Sequence, residues 1–238
     1  MNPSLTAALD RIAERAADVR RAYTPGAIPR YDDVATPAAA SDFTLDPLAV
    51  AAPDGTYFVT VGEANRRAYT RDGAFALRDG RLVDSNGDPL LGARAGSGES
   101  GELQVEPVDA ALGRIAGPAV ESDGTFVYQR EAIDPRSGKR TSQRVVAGRL
   151  FLARFPAGTR LQTSDGTRCA PLNDVAPQIG FAGGAAFGSI QPMRRERSRI
   201  DVDQSLIRLK EAYLAFDALA AAESAKAHLG KTAMDLLK

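Results

Sequence analysis

The side chains that could do chemistry are few and scattered along the chain. Asp84, Asn86 and Asp88 place oxygens at alternate positions, which is how a calcium loop begins. Such a loop also needs glycine at its sixth position and a bidentate glutamate at its twelfth, where this chain has Pro89 and Ala95. The triplet therefore reads as a hairpin turn. A Ser-His-Asp hydrolase needs a histidine, and the only one is His228, with Glu223, five residues back, as its nearest preceding acid and no G-x-S-x-G elbow in the chain. Gly138-Lys139 lacks the rest of a phosphate loop, because Ile133 stands at the first glycine and Arg140 follows the lysine. Gly96-Ser97-Gly98 sits in a polar turn without a dinucleotide fingerprint around it. Cys169 is the sole cysteine, so it can form neither an internal disulfide nor a cysteine-based zinc site, and it reads as a small half-buried apolar residue. Arg194, Arg195, Arg197 and Arg199 surround Glu196 and could meet phosphate, but a solvated junction or salt bridges between subunits is the better reading. No constellation supports catalysis, and the residues imply no cofactor and no metal.

The elements around these residues are easier to read. Leu5, Leu9, Ile12, Ala16, Val19 and Tyr23 alternate at four- and three-residue steps, the a/d pattern of a coiled-coil helix. Ser4 can cap its start, and Thr24-Pro25-Gly26 stops it. At the other end Leu206, Leu209, Tyr213, Phe216 and Ala220 line one side of a second helix predicted from Ile200 to Leu237. No proline interrupts that helix, and Ala218 to Ala227 is mostly alanine, the strongest helix former. At about 1.5 Å per residue the second helix would be roughly 55 Å long, too long and too narrow in its apolar stripe for this chain to bury alone. The two stripes therefore form the expected assembly interface, between the terminal helices, with copies of them, or both.

Between the helices the pattern changes. Residues 27–42 are rich in proline, alanine and aspartate and read as a linker. From Phe43 short apolar runs alternate with Asp54-Gly55, Asp72-Gly73, Asp79-Gly80, Asn86-Gly87, Asp123-Gly124 and Asp165-Gly166, the turn pairs of antiparallel hairpins. The predicted strands include Leu48 to Ala52, Thr56 to Val61, Ala68 to Thr70, Ala74 to Leu77, Arg81 to Val83, Glu102 to Val105, Thr125 to Gln129, Arg144 to Arg154 and Gly188 to Pro192. Gly180 to Gly188 reads as a flexible return loop. The fold class is α+β: N- and C-terminal α-helices pairing as a coiled-coil-like layer, with a central all-β domain of short antiparallel strands. The expected divisions are 1–26 for the first helix, 27–42 for the linker, 43–193 for the β-domain and 194–238 for the C-terminal helix. A fragment from Ser41 to Pro192 is expected to fold without the ends.

Composition narrows the function classes. Thirty Lys+Arg balance thirty Asp+Glu in 238 residues, so no global field draws the chain to nucleic acid or an anionic membrane. Aromatics are 6% and tryptophan is absent, which disfavours stacking platforms for sugars or single strands. No run of about 18 apolar residues exists to insert in a membrane. Charges from Asp10 to Arg21 break the apolar core that a secretory signal would need, so export, if it occurs, is expected to use a machine that reads something else.

Long segments resemble one family, the axial proteins of the bacterial flagellum: the rod, hook and hook-basal-body proteins. The resemblance runs through Asp46 to Thr60, Tyr69 to Leu77 with its Tyr-Thr-Arg-Asp-Gly-Ala-Phe, and Gly80 to Gly92. Gly148 to Phe155 is similar to the family's glycine-arginine-leucine strand, Thr24-Pro25-Gly26 to its helix stop and Ala212-Tyr213 to its C-terminal alanine-tyrosine pair. Arg20 to Tyr23, Lys210-Glu211 and Phe216 depart from the family's pattern. The length is nearer to the short rod proteins than to the hook protein. The resemblance implies a structural, non-enzymatic subunit of the basal-body rod, self-assembling through its terminal helices for motility. It implies other rod and hook proteins as partners, the flagellar type III export apparatus as its route, and the periplasm-spanning rod as its place. The residues alone leave two rivals: a secreted β-domain binding module or adhesin oligomerised by its helices, and a hydrolase built on paired carboxylates.

Overall fold

The computed structural model describes residues 3–29, 39–62, 65–107, 113–133, 139–163, 167–173 and 175–236, with side chains described as far as 232. Most of the expected linker, the Asp165-Gly166 turn and Gly138 lie outside the described residues. The chain is α+β, with a helix at each end and a large antiparallel β-body between them.

In chain order the first elements are α1 (Pro3–Arg21), β1 (Ser41–Phe43), β2 (Val50–Ala51), β3 (Thr56–Val61), β4 (Arg67–Thr70), β5 (Ala76–Arg78) and β6 (Arg81–Val83). They are followed by β7 (Leu91–Arg94), β8 (Ser100–Glu102), β9 (Gly113–Val120), β10 (Thr125–Ile133) and β11 (Arg140–Arg154). The last are β12 (Leu161–Thr163), β13 (Arg168–Pro171), β14 (Gln178–Phe181), β15 (Gln191–Pro192), β16 (Arg194–Glu196) and α2 (Val202–Leu236). The segments Met1–Ala22 and Ile200–Lys238 belong to one compact unit, and Tyr23–Ile28 with Ala38–Arg199 form the other.

In the helical unit α1 and α2 pack on each other. Asp201 starts α2 as an N-cap, its Oδ1 accepting from the backbone N–H of Gln204 at 3.1 Å, and so satisfies one of the donors that a helix start leaves open. Helix α1 already includes Ser4, so this serine is not the residue before the helix. No helix among the described residues is long and apolar enough to cross a membrane.

The β-body is organised by β11, whose 15 residues reach several neighbours in turn. Its N-terminal half pairs with β10, which pairs onward with β9, its middle with β7, and its C-terminal half with β3 and β14. The ten-stranded sheet runs β12-β13-β4-β3-β11-β10-β9, with β14 and β7 branching from β11 and β8 from β7, and the small sheets β1-β16, β15-β2 and β5-β6 complete the body. Alternation along β3 and β11 sends side chains to two different cores. Phe58, Leu150 and Leu152 enter the main core with Phe126, Leu82, Leu90 and Leu103. Val59, Ala153, Tyr69 and Cys169 form a smaller cluster on the opposite face, joined by Tyr57 and Phe155. Both clusters are keyed by edge-to-face rings, Phe58 on Phe75 at 4.9 Å and Tyr69 on Phe155 at 5.0 Å. Cys169 is buried rather than half-buried, its thiol donating to the carbonyl of Tyr69, and burial pushes its pKa up to about 12.

The strand readings found many of the strands but not their extents: Leu48–Ala52 and Gly188–Pro192 were read longer than β2 and β15, and Glu102–Val105 shares only Glu102 with β8. β7, β9, β12, β13 and β14 occupy stretches without a strong alternating pattern, and β10 and β11 run further than the apolar residues suggested. Where residues 194–199 were expected to enter the C-terminal helix, Arg194–Glu196 instead form β16, paired with β1. The β-body thus exceeds 43–193 at both ends, because its last strand is a charged one that carries no apolar periodicity. The reading of Gly180 to Gly188 as a flexible loop also changes, since Phe187 is buried in the main core.

Candidate functional site

The residues of the family-like Thr70-Arg71-Asp72-Gly73 segment build the most highly determined site in the β-body. Strand β4 ends at Thr70, whose hydroxyl oxygen accepts from the N–H of Asp72 at 3.0 Å, and Asp72 Oδ1 accepts from the N–H of Ala74 at 2.9 Å. These short side-chain-to-backbone bonds define a tight turn. Gly73 is required there, because a Cβ would fall 1.7 Å from the carbonyl oxygen of Val50, whose own N–H donates to Gly73. The second carboxylate oxygen of Asp72 is buried with no partner.

Arg71 points inward and is only 2% exposed. Its Nε donates to both oxygens of Glu196 at 2.8 and 3.0 Å, and Nη2 donates to Oε2 at 2.6 Å. The remaining N–H groups reach the carbonyls of Ala52, Pro53 and Thr56. Arg199 approaches Glu196 from the other side at 2.8 Å and Asp54 at 3.3 Å. A carboxylate that is 2% exposed is thereby held between two guanidinium groups, the bidentate geometry in which arginine outperforms lysine.

This cluster fastens the ends of the β-body. Gly26, with φ 67°, sits so close to the Arg71-Asp72 peptide that a Cβ would lie 2.6 Å from it, and its N–H donates to the carbonyl of Glu196. Arg199 donates its backbone N–H to Ala27, Arg197 donates its own to Ala40, and β1 lies beside β16. The Thr24-Pro25-Gly26 stop and the arginine-rich run therefore meet at one clasp. Three of the four arginines serve pairs within the chain, Arg194 to Ser41, Arg197 to Asp42 and Arg199 to Glu196, while the buried Nε of Arg195 has no hydrogen-bond partner among the described residues. Neither phosphate binding nor bridges between subunits is needed to account for these pairs.

The chemistry of the clasp is positional. Every N–H of Arg71 already has an acceptor, and Glu196 faces two cations, so this pair is fully engaged within the fold. Among the described residues no cluster of three His, Cys, Asp or Glu side chains could hold a metal. In the suspected calcium loop, Asp84 Oδ1 accepts from the N–H groups of Asn86 and Asp88, and Asp88 pairs with Arg168, which is a hairpin turn. Burial pushes the Asp84 carboxyl above its usual range against those hydrogen bonds. His228 is exposed on α2. A shallow cavity of about 190 Å³ at the end of the β9-β10-β11 ribbon is lined by Arg114, Glu131, Ile133 and Arg140. Arg114 holds the Glu131 carboxyl below the usual range there, and the lining residues include no nucleophile.

The residues expected at the assembly interface divide between inside and outside. On α1, Ile12 is buried, Leu5, Ala16 and Val19 are half-buried and Leu9 is exposed, while Tyr23, expected to continue this line, lies past the helix end at Arg21 and is exposed. On α2, Leu209, Phe216 and Ala220 are half-buried, while Leu206 and Tyr213 are 47% and 50% exposed. The most buried α2 positions are Ser205 and Ala212, one residue before Leu206 and Tyr213. The inward line of α2 is thus rotated from the one drawn through the largest side chains, and small residues along it let backbones approach, since the distance between helices is set by the side chains at the contact. On α1 the buried positions besides Ile12 are the charged Arg15, Asp18 and Arg21, which the apolar a/d line did not include. Leu206, Ile207, Tyr213 and Leu214 consequently form an exposed apolar strip with heptad repeats 206/213 and 207/214.

Arg71 and Glu196 were missed because a charged residue between apolar runs reads as a surface position. The available hint was that Glu196 is the lone acid within Arg194–Arg199. No protein-family model matches this chain, and no curated protein matches its sequence. What fold and site define is a class: an antiparallel β-body, clasped where its ends meet, joined to a unit of two terminal helices.

The clasp also decides which fragment folds. A fragment of residues 41–192 lacks Glu196, Arg199 and Gly26, so it leaves Arg71 buried without its carboxylate. Residues 23–199 should unfold cooperatively in urea, whereas 41–192 should be less stable by about 3–5 kcal/mol or fail to fold. Equal midpoints for the two fragments would show that the clasp is dispensable.

Proposed function

We propose that the protein is a structural, non-enzymatic subunit of the bacterial flagellar basal-body rod. Its terminal helices pair in a coiled-coil-like layer and join copies of themselves and other rod and hook proteins into an open helical structure, with the β-body outside. Export runs through the flagellar type III apparatus to the periplasm-spanning rod, and no cofactor takes part. The observation that carries this reading is the strip Leu206, Ile207, Tyr213 and Leu214, which stays exposed when α1 and α2 pack on each other. Large apolar side chains repeated along a helix mark an interaction surface, and a contact that does not close on itself produces a filament. The Thr24 to Gly26 and Thr70 to Gly73 segments, which are among those that resemble the axial family, meet in the clasp. A balanced charge, thirty of each sign, also suits stacked copies.

Concentrated full-length protein should form polymers of unlimited length, visible by electron microscopy and growing with concentration in sedimentation. A discrete dimer or trimer that grows no further would reject the rod reading and favour a binding module oligomerised by its helices.

A further inference from the structure

We propose that Asn86 is a deamidation site which the folded hairpin holds closed, and that its conversion to a carboxylate keeps the hairpin from closing again. The chain has four asparagines, and Asn86 is the one followed by glycine. Glycine has no Cβ, so its backbone nitrogen can approach the preceding side-chain amide more freely than any other residue's. In the reaction Gly87 N forms a bond to Asn86 Cγ, the Cγ–Nδ2 bond breaks, and ammonia leaves with the proton that Gly87 N gives up. The resulting five-membered imide is opened by water at either carbonyl, giving an aspartyl or isoaspartyl residue at position 86. No oxidant or reductant is involved.

The fold immobilises both reacting groups. Gly87 donates its N–H to the carbonyl of Asp84 at 3.0 Å, so the attacking nitrogen is engaged. The amide Nδ2 of Asn86 donates to Asp84 Oδ2 at 3.3 Å and to Thr167 Oγ1 at 3.1 Å, which fixes the side chain by two tethers. The Asn86 N–H is also bound, to Asp84 Oδ1 at 2.9 Å. Attack therefore requires the hairpin to open, and the rate follows the population of that open form.

Closure after conversion meets a different chemistry. The amide donor becomes an acceptor aimed at Asp84, a fully buried carboxyl, in a turn that also contains the buried Asp88. Like charges at hydrogen-bond distance cannot both remain ionised without cost. Arg168 is already committed to both oxygens of Asp88, and Arg78, whose guanidinium passes beside Gly87, is the nearby cation that could soften the repulsion. An isoaspartyl link would in addition lengthen the backbone of a turn closed by the Val83–Pro89 bridge. Because Asn86 and Asp88 tie this turn to Thr167 and Arg168, failure to close also frees the start of β13.

The test is peptide mass spectrometry of the full chain at mildly alkaline pH, folded and in urea, scoring imide, aspartyl and isoaspartyl forms at position 86. Conversion should be slower in the folded chain by about tenfold or more, with Asn65 and Asn173 as slow internal controls. Thr167→Ala, which removes one tether of the amide, should raise the folded-state rate several-fold. Asn86→Asp, standing in for the product, should speed hydrogen exchange of residues 81–91 by about tenfold or more, and Arg78→Gln should deepen that effect. Equal rates at Asn86 in folded and unfolded chain would overturn the gating, and unchanged exchange in Asn86→Asp would overturn the block to closure.

Discussion

Arg71→Ala is expected to remove about 3–5 kcal/mol from the stability of the β-body, the loss that follows when one member of a buried ion pair is deleted. The carboxylate of Glu196 would keep only Arg199, and the carbonyls of Ala52 and Thr56 would lose the Arg71 donor, while that of Pro53 would keep the donors of Thr56. Against a total of about 5–15 kcal/mol for an ordinary protein, that change is a large share of the stability. Glu196→Ala should be comparably severe, since it strands a guanidinium that cannot lose its proton. Arg71→Met combined with Glu196→Leu should recover much of the loss, because apolar residues of similar volume often replace a buried pair at little cost. Cys169 offers the readout. Its thiol is buried in the β-body, so its reaction with a thiol reagent across a urea series reports the opening of this unit and not of the helices. A shift below about 1 kcal/mol for Arg71→Ala, the size expected of an exposed pair, would mean that the clasp does not hold the body together.

Leu206→Ala with Tyr213→Ala should raise the concentration needed for polymer growth by roughly 25-fold. Full burial of one such side chain contributes about 1.5–3 kcal/mol, and a combined loss of about 2 kcal/mol is a modest figure for two that begin half exposed. Helicity should not suffer, because alanine is the better helix former at both positions. Lys210→Ala with Glu211→Ala is the control: these exposed charges lie on the same helix and contribute about 0–1 kcal/mol. Normal polymerisation of the apolar variant would remove the exposed strip from the assembly contact. Loss of polymer in both variants alike would point to a non-specific effect of altering α2.

The periodicities were sufficient for the two helices and not for their faces. Step patterns from Leu5 to Tyr23 and from Leu206 to Ala220 locate α1 and α2, since a helix is a local structure whose spacing is written in consecutive residues. Asp-Gly and Asn-Gly pairs located turns of the β-body for the same reason: the conformations they favour are properties of the dipeptide. The line of burial along each helix is another matter. It depends on how closely two backbones approach, so Ser205 and Ala212 are the most buried positions on α2 while Leu206 and Tyr213 remain outside. Strand β16 was hidden because its pairing with β1 joins residues about 150 apart, and its side chains are charged. The sequence by itself determined the two terminal helices, the antiparallel β character between them and the hairpin role of Asp84 to Asp88. Tertiary structure alone decided that Arg71 and Glu196, 125 residues apart, become a buried pair, because charges lose water only where other chain segments close over them.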